Sequence, residues 1–212
     1  MRGIYIDTET GGLDAKVHGL VSVGAVAFEI DVINPVKYTI LDSYIGYIKP
    51  VRTSYGVRCL EYSIEAEAIH GIGLDWLEAN GQPEAEIHSD LVSFIQKYLQ
   101  PDEPFAGRLW AHNAPFDHGF VKAMENRVFV CTSGEGMMFH DRCDWSCTKN
   151  LWCVLRGLGV HNVRCKLDDI IDHYGIVDPR GGQHNALTDA MLGIEVLRHM
   201  LFDLKRHYDV VQ

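Results

Sequence analysis

Apolar residues occur along the chain in short runs, and the spacing of those runs changes from one third of the sequence to the next. Gly3 to Ile6 is apolar and breaks into Asp7-Thr8-Glu9-Thr10-Gly11-Gly12-Leu13, the pattern of a buried strand ending in a Gly-rich turn. Leu20 to Ile30, rich in Val and small residues, predicts a second strand, and weak alternation over Tyr38 to Ile48 predicts a third. The period then becomes helical. Glu61 to His70 reads as a helix, and Glu84 to Leu99 places Ile87, Leu91, Phe94, Ile95 and Leu99 on one face. Leu109-Trp110-Ala111 predicts a short buried strand, and Pro115 suits the first turn of a helix running to about Arg127. Thr148 to Leu158, Leu167 to Tyr174 and Asn185 to His207 predict three more helices, the last one long. Thr132 to Trp145 is irregular and reads as a surface excursion. With no linker and no internal repeat, this order implies an α/β fold on one mixed sheet, a single domain over 1–212.

Composition narrows the class. Of 212 residues, 47% are hydrophobic and 23% charged, enough for a core and unlike a disordered chain. Apolar runs such as Gly19 to Phe28 are too short to span a bilayer, and the N-terminus lacks a signal-peptide stretch. The expectation is a soluble, cytoplasmic protein with no membrane partner. Nineteen basic against 29 acidic residues give a net charge of −10, which disfavours broad electrostatic attachment to a phosphate backbone. The six cysteines, Cys59, Cys131, Cys143, Cys147, Cys153 and Cys165, are expected to be reduced thiols. Cys131, His140, Cys143 and Cys147 also invite a structural zinc reading, although their spacing is not that of the usual paired ligands.

Acidic residues carry the chemistry. Asp7 and Glu9 are two apart on the first strand, so both point to one face, about 7 Å apart along it. Such a pair is either a solvated strand end or an oxygen-ligand site for a hard divalent cation. Asp117 follows a buried strand in His112-Asn113-Ala114-Pro115-Phe116-Asp117, where an acid also serves as a helix N-terminal dipole partner. His184 and Asp189 bracket His184-Asn185-Ala186-Leu187-Thr188-Asp189 at the start of the long helix.

Taken in order, these three motifs resemble the DEDD exonuclease superfamily, in its His-containing branch. That branch includes the proofreading subunit of bacterial replicative DNA polymerase, small single-chain bacterial DNA exonucleases and ribonuclease T. Ala68-Ile69-His70-Gly71-Ile72 is similar to the family's substrate-strand helix, and Asp144 to Leu151 to its segment before the last third. The resemblance implies a ribonuclease H-like mixed five-stranded sheet flanked by helices. It implies that Asp7, Glu9, Asp117 and Asp189 hold two divalent cations, Mg²⁺ or Mn²⁺, with His184 as general base. It assigns the Thr8 backbone and Glu9 to the terminal 3′-hydroxyl. Leu13, His70 and Phe116 would wedge or stack against the last bases, and Asn113 and His112 would orient Asp117 or a phosphate. The implied activity is 3′→5′ exonuclease cleavage of single-stranded or frayed DNA with a free 3′ end, releasing nucleoside 5′-monophosphates. DNA is expected ahead of RNA, with RNA 3′-end trimming and short-oligonucleotide cleavage as alternatives, and with a polymerase or other replication partner supplying processivity. Local grip on the backbone falls to Lys149, Arg156, Arg164, Lys166 and Arg180, or these are ordinary surface charges.

Overall fold

The first apolar run forms β1 (Arg2–Thr10), the central strand of a five-stranded sheet. β2 (Leu20–Ile30) pairs antiparallel with β1, and β3 (Tyr38–Tyr47) continues the meander to one edge. On the other side, β4 (Arg108–Ala111) and β5 (Asp144–Cys147) add in parallel, giving the order β3-β2-β1-β4-β5. This is the mixed sheet expected from the sequence. The structure, a computed structural model, describes residues 1–50, 60–99, 108–131 and 144–211. Most of the irregular excursion lies outside the described residues, as do Cys59, His140 and Cys143 of the thiol and zinc readings. Among the described residues, Cys147, Cys153 and Cys165 are free thiols, and no helix is long and apolar enough to cross a membrane.

Strand alternation sorts β1 between two cores. Ile4 and Ile6 join Val23, Ala25 and Ala27 of β2 under α3 (Glu84–Tyr98) and α4 (Ala114–Cys131), which contribute Ile87, Leu91, Phe120, Val121 and Met124. Tyr5, between them, faces the other way, with Val26, Phe28 and Trp110, against Ala190, Ile194 and Leu197 of α7 (Ala186–Val211). By the same parity Asp7 and Glu9 lie on the α7 side. α5 (Thr148–Gly157) and α6 (Leu167–Tyr174) then bury Trp152, Leu155, Ile170 and Ile171 against the outer face of α7.

The helix expected from Glu61 begins later, as α1 (Ile64–His70), because the Ser63 hydroxyl accepts from Ala66 N and fixes the start. Glu61 instead bridges to His18 beside the β1 turn. α2 (Leu74–Asn80) gave no sequence signal: its seven residues bury only Leu77, too few for a periodic pattern. The long helix extends to Val211, past His207.

Two glycines let α7 lie directly on the sheet. A Cβ at Gly24 of β2 would collide with the backbone of Ala186 and Leu187, and one at Gly193 with the Tyr5 ring. Gly24 is the register partner of Asp7, so this close approach sets α7 beside the acidic end of β1. Gly24→Ala is therefore expected to force α7 off the strand and to destabilise the protein by about 1–3 kcal/mol. Urea denaturation would measure it; unchanged stability would show that α7 is not held by this contact.

Candidate active site

The site lies where β1 and β4, which are parallel, both end. Chain that leaves parallel strands at their carboxyl ends leaves room for a ligand there. Asp7 and Glu9 come from the last half of β1, just before the register shifts at Glu9/Thr10. β4 runs into α4, whose first turn holds Asp117. The Thr8 hydroxyl donates to Asp117 Oδ1 at 2.8 Å, tying α4 to β1 from the opposite side of the strand. Asp189 lies in the first turn of α7. That turn is capped by Asn185, whose Oδ1 accepts from the backbones of Leu187 and Thr188 at 3.2 Å. His184 N donates to Ile69 O at 3.1 Å, fastening the approach to α7 onto the end of α1.

Ligand-capable atoms of Glu9, His184 and Asp189 fall within 4.8 Å of one another. Both oxygens of Asp189 are engaged: His184 Nδ1 lies 2.9 Å from Oδ2, and Arg180 Nη1 donates to Oδ1 at 2.8 Å. Glu9 is 7% exposed, and its buried Oε1 has no hydrogen-bond partner.

Crowding this many acids away from water shifts their protonation. Burial raises Asp7 well above the carboxylate range, helped by the charges of Asp117, Asp189 and Glu9. Burial, then Asp189, pushes Glu9 up to about 7. Burial also takes Asp117 to about 7, although the Thr8 hydroxyl opposes it. The hydrogen bond to Asp189 raises His184 despite burial. An orphaned carboxylate oxygen among mutually repelling acids fits a hard divalent cation, which prefers oxygen ligands and relieves the repulsion.

The structure brings Asp7, Glu9, Asp117, His184 and Asp189 together, and the other sequence candidates have varied settings. Leu13, 87% exposed, stands on the turn after β1. Phe116 is half-buried, 4.9 Å from the Phe120 ring. His70 is buried, with its ring edge-on to Tyr62. Thr8 directs its side chain to Asp117. Asn113 is exposed and accepts from Lys149 Nζ at 3.5 Å. His112 has its ring nitrogens engaged elsewhere. It bonds Thr148 Oγ1 and the Cys165 carbonyl, and Thr148 meets the buried Tyr5 hydroxyl at 2.7 Å. Burial lowers the His112 pKa, which keeps the ring neutral at physiological pH and suited to this bridging role.

Arg180 departs from both of its sequence readings. It is neither a free backbone grip nor a surface charge: its side chain is 4% exposed and held by Asp168, Asp178 and Asp189. The sequence signal was an Arg four residues before His184 on a Gly-Gly turn, but two of its partners come from α6 and α7.

No protein-family model matches the chain. Ribonuclease T of Photorhabdus laumondii is 30% identical over 132 residues, covering 60% of this chain and 56% of that protein. Ribonuclease T of Baumannia cicadellinicola is 28% identical over 136 residues, 61% of this chain and 57% of that protein. A PolC-type DNA polymerase III of Thermotoga petrophila is 25% identical over 96% of this chain but only 12% of its own length. The chain thus spans little more than half the length of the two ribonuclease T relatives. Among solved structures, the zinc-bound complex of Escherichia coli exonuclease I with single-stranded DNA superposes with a TM-score of 0.73. It covers 99% of this chain and 42% of that one at 15% identity, a ribonuclease H-like fold in common.

The raised carboxylates fix the sign of a pH dependence. A group whose folded pKa exceeds its unfolded value binds more protons when folded. Its stabilising effect is complete below the ordinary carboxylate range and is lost as pH rises through about 7. His184, also raised, acts in the same direction. His70, His88, His112, His161 and His199, all lowered, act oppositely, but only below about pH 6.5. Melting in chelator between about pH 6.5 and 8.5 should therefore show stability falling as pH rises, and Glu9→Gln should flatten the fall. An equal slope in wild type and variant would contradict the shifted Glu9.

Proposed function

We propose that this chain, which belongs to the DEDD 3′–5′ exonuclease superfamily, forms one exonuclease domain over 1–212 that removes nucleotides from the free 3′ end of single-stranded or frayed DNA. The observation that carries this reading is the convergence of Asp7, Glu9, Asp117 and Asp189 beside His184 at the carboxyl ends of β1 and β4. Asp7, Glu9, Asp117 and Asp189 would hold two divalent cations, Mg²⁺ or Mn²⁺. Bound there, the cations supply charge stabilisation to both the attacking and leaving oxygens of an in-line displacement at phosphorus.

The protein's own groups do the rest. Asp189 Oδ2 holds the His184 Nδ1 proton, which leaves Nε2 as the atom that takes a proton from the attacking water. While the carboxylates are uncompensated they favour the imidazolium, so His184 becomes a competent base once their charge is neutralised. The Thr8 hydroxyl holds Asp117 in place, and the Thr8 backbone and Glu9 are suited to a 3′-hydroxyl. Leu13, which is 87% exposed, would stack on a terminal base together with Phe116 and His70, a mode worth about 1–3 kcal/mol per base. Lys149, partly buried, and Arg156, Arg164 and Lys166, all exposed, are the remaining cations for a backbone. With few of them on an acidic chain, binding is expected to be weak and salt-sensitive, leaving processivity to a polymerase or other replication partner.

DNA as substrate is supported by the relative aligned along 96% of the chain, a DNA polymerase. RNA 3′-end trimming is the second reading, supported by the ribonuclease T relatives.

Matched 5′-labelled DNA and RNA, incubated with Mg²⁺, Mn²⁺ or EDTA, should give a metal-dependent ladder shortening from the 3′ end, faster on DNA. A faster RNA ladder would select the second reading. Absence of cleavage of either strand, and of dinucleotides, would overturn the assignment. Asp7→Asn and Asp189→Asn should abolish the ladder with the fold intact. His184→Ala should lose about 10²–10⁴ in rate while still binding metal. Wild-type rates in any of the three variants would refute the role of the residue replaced.

A further inference from the structure

Arg180 is a buried guanidinium beside the carboxylates proposed as metal ligands, and the proposed reaction gives it no task. Nη1 donates to Asp189 Oδ1 at 2.8 Å and lies 3.5 Å from His184 Nδ1. Nη2 donates to Asp168 Oδ1 at 2.6 Å and to Asp178 Oδ2 at 2.8 Å, and Nε to Asp178 Oδ1 at 2.9 Å. Asp178 closes the start of this loop by accepting from Arg180 N. Gly181 and Gly182, at φ of 64° and 95°, then turn the chain so that Arg180 and His184 both reach Asp189.

Two of these acids, Asp168 on α6 and Asp178 on the loop, lie outside the proposed ligand set and hold the guanidinium from behind. Among the proposed ligands, it is Asp189 that accepts a hydrogen bond from Arg180. An arginine cannot lose its charge at physiological pH. It therefore presents a permanent positive charge to Asp189, lowering the mutual repulsion of the acids in the absence of metal. The same charge repels an incoming divalent ion across a few ångströms of poorly hydrated protein, where screening by salt is weak.

We infer that Arg180 is the resident counter-cation of the carboxylate cluster, and that it sets the metal concentration at which the site fills. Asp168 and Asp178 keep it in place when metal binds, so the site retains one positive charge that is not metal. The consequence is a weaker, more readily reversed divalent site than the carboxylates alone would make. This inference rests on the metal site of the proposed function.

The test is Mn²⁺ binding by calorimetry at one fixed pH of about 8.5, with no substrate present. Arg180→Gln should bind Mn²⁺ about tenfold or more tightly than wild type. It should melt at a lower temperature without metal and show a larger Mn²⁺-induced shift. Arg180→Lys, which keeps the charge, should stay near wild-type affinity. If Arg180→Gln folds poorly, Arg180→Gln/Asp178→Asn replaces an ion pair with two amides at unchanged net charge and should tighten Mn²⁺ binding in the same direction. Asp178→Asn alone, which leaves the guanidinium charge, should not tighten it. A loop strut would instead make Arg180→Gln and Asp178→Asn alike, both weakening Mn²⁺ or leaving it unchanged, and that result would overturn the inference. Asp189→Asn separates this failure from a deeper one. Loss of Mn²⁺ binding in Asp189→Asn with wild-type affinity in Arg180→Gln would reject the counter-cation alone. Undiminished Mn²⁺ binding in Asp189→Asn would reject the metal site itself.

Discussion

Asp7, Glu9, Asp117 and Asp189 come from three elements and are pressed together where water is scarce, and the charges of Asp117 and Asp189 raise the cost of ionising both Asp7 and Glu9. A buried carboxylate is tolerated only when it is protonated, hydrogen-bonded or paired. All three remedies are visible. Glu9 and Asp117 are shifted to about 7, so that they carry protons near neutrality. Thr8 donates to Asp117, and Arg180 and His184 take the two oxygens of Asp189. One oxygen of the cluster, Glu9 Oε1, is buried without a hydrogen-bond partner. A cluster of this kind is destabilising as it stands, and its persistence makes sense if a divalent cation completes it.

The surrounding fold serves mainly to hold those groups at fixed separations. β1 carries two of the acids on one face while its other face, through Ile4 and Ile6, is anchored in the core beneath α3 and α4. Thr8, on that opposite face, reaches Asp117, so the strand links both halves of the site. α7 is registered against the strand by the absence of side chains at Gly24 and Gly193, by the Asn185 cap, and by the bond from His184 N to Ile69 O. Behind it, Tyr5, Thr148 and His112 join β1, α5 and the Cys165 carbonyl in one buried chain of hydrogen bonds. Small displacements of α7 would move Asp189 relative to Glu9, which is why so many independent contacts converge on its first turn.

Much of this was legible in the sequence, for identifiable reasons. Period-two alternation put Asp7 and Glu9 on one face, and the helical period of Ile87, Leu91, Phe94 and Ile95 located α3. The order of three short motifs, each tied to a strand end or helix start, pointed to the five central residues. What escaped notice depended on partners distant in the chain or on backbone atoms. Arg180 looked like a surface cation because its pairing requires α6 and α7 to pack side by side. One ring partner of His112 is the Cys165 carbonyl oxygen, which carries no residue identity. α2 was invisible because a seven-residue helix with one buried side chain has no period to detect, and α1 starts late because a single serine hydroxyl outweighs the helical pattern before it.

The most direct test of the metal-binding cluster is anomalous diffraction from crystals of the wild-type protein soaked in Mn²⁺. Two peaks bounded by Asp7, Glu9, Asp117 and Asp189, with Glu9 Oε1 among the ligands, are expected. Full Mn²⁺ occupancy elsewhere on the molecule, with this cluster empty at millimolar metal, would contradict the reading of the four carboxylates as a divalent-cation site.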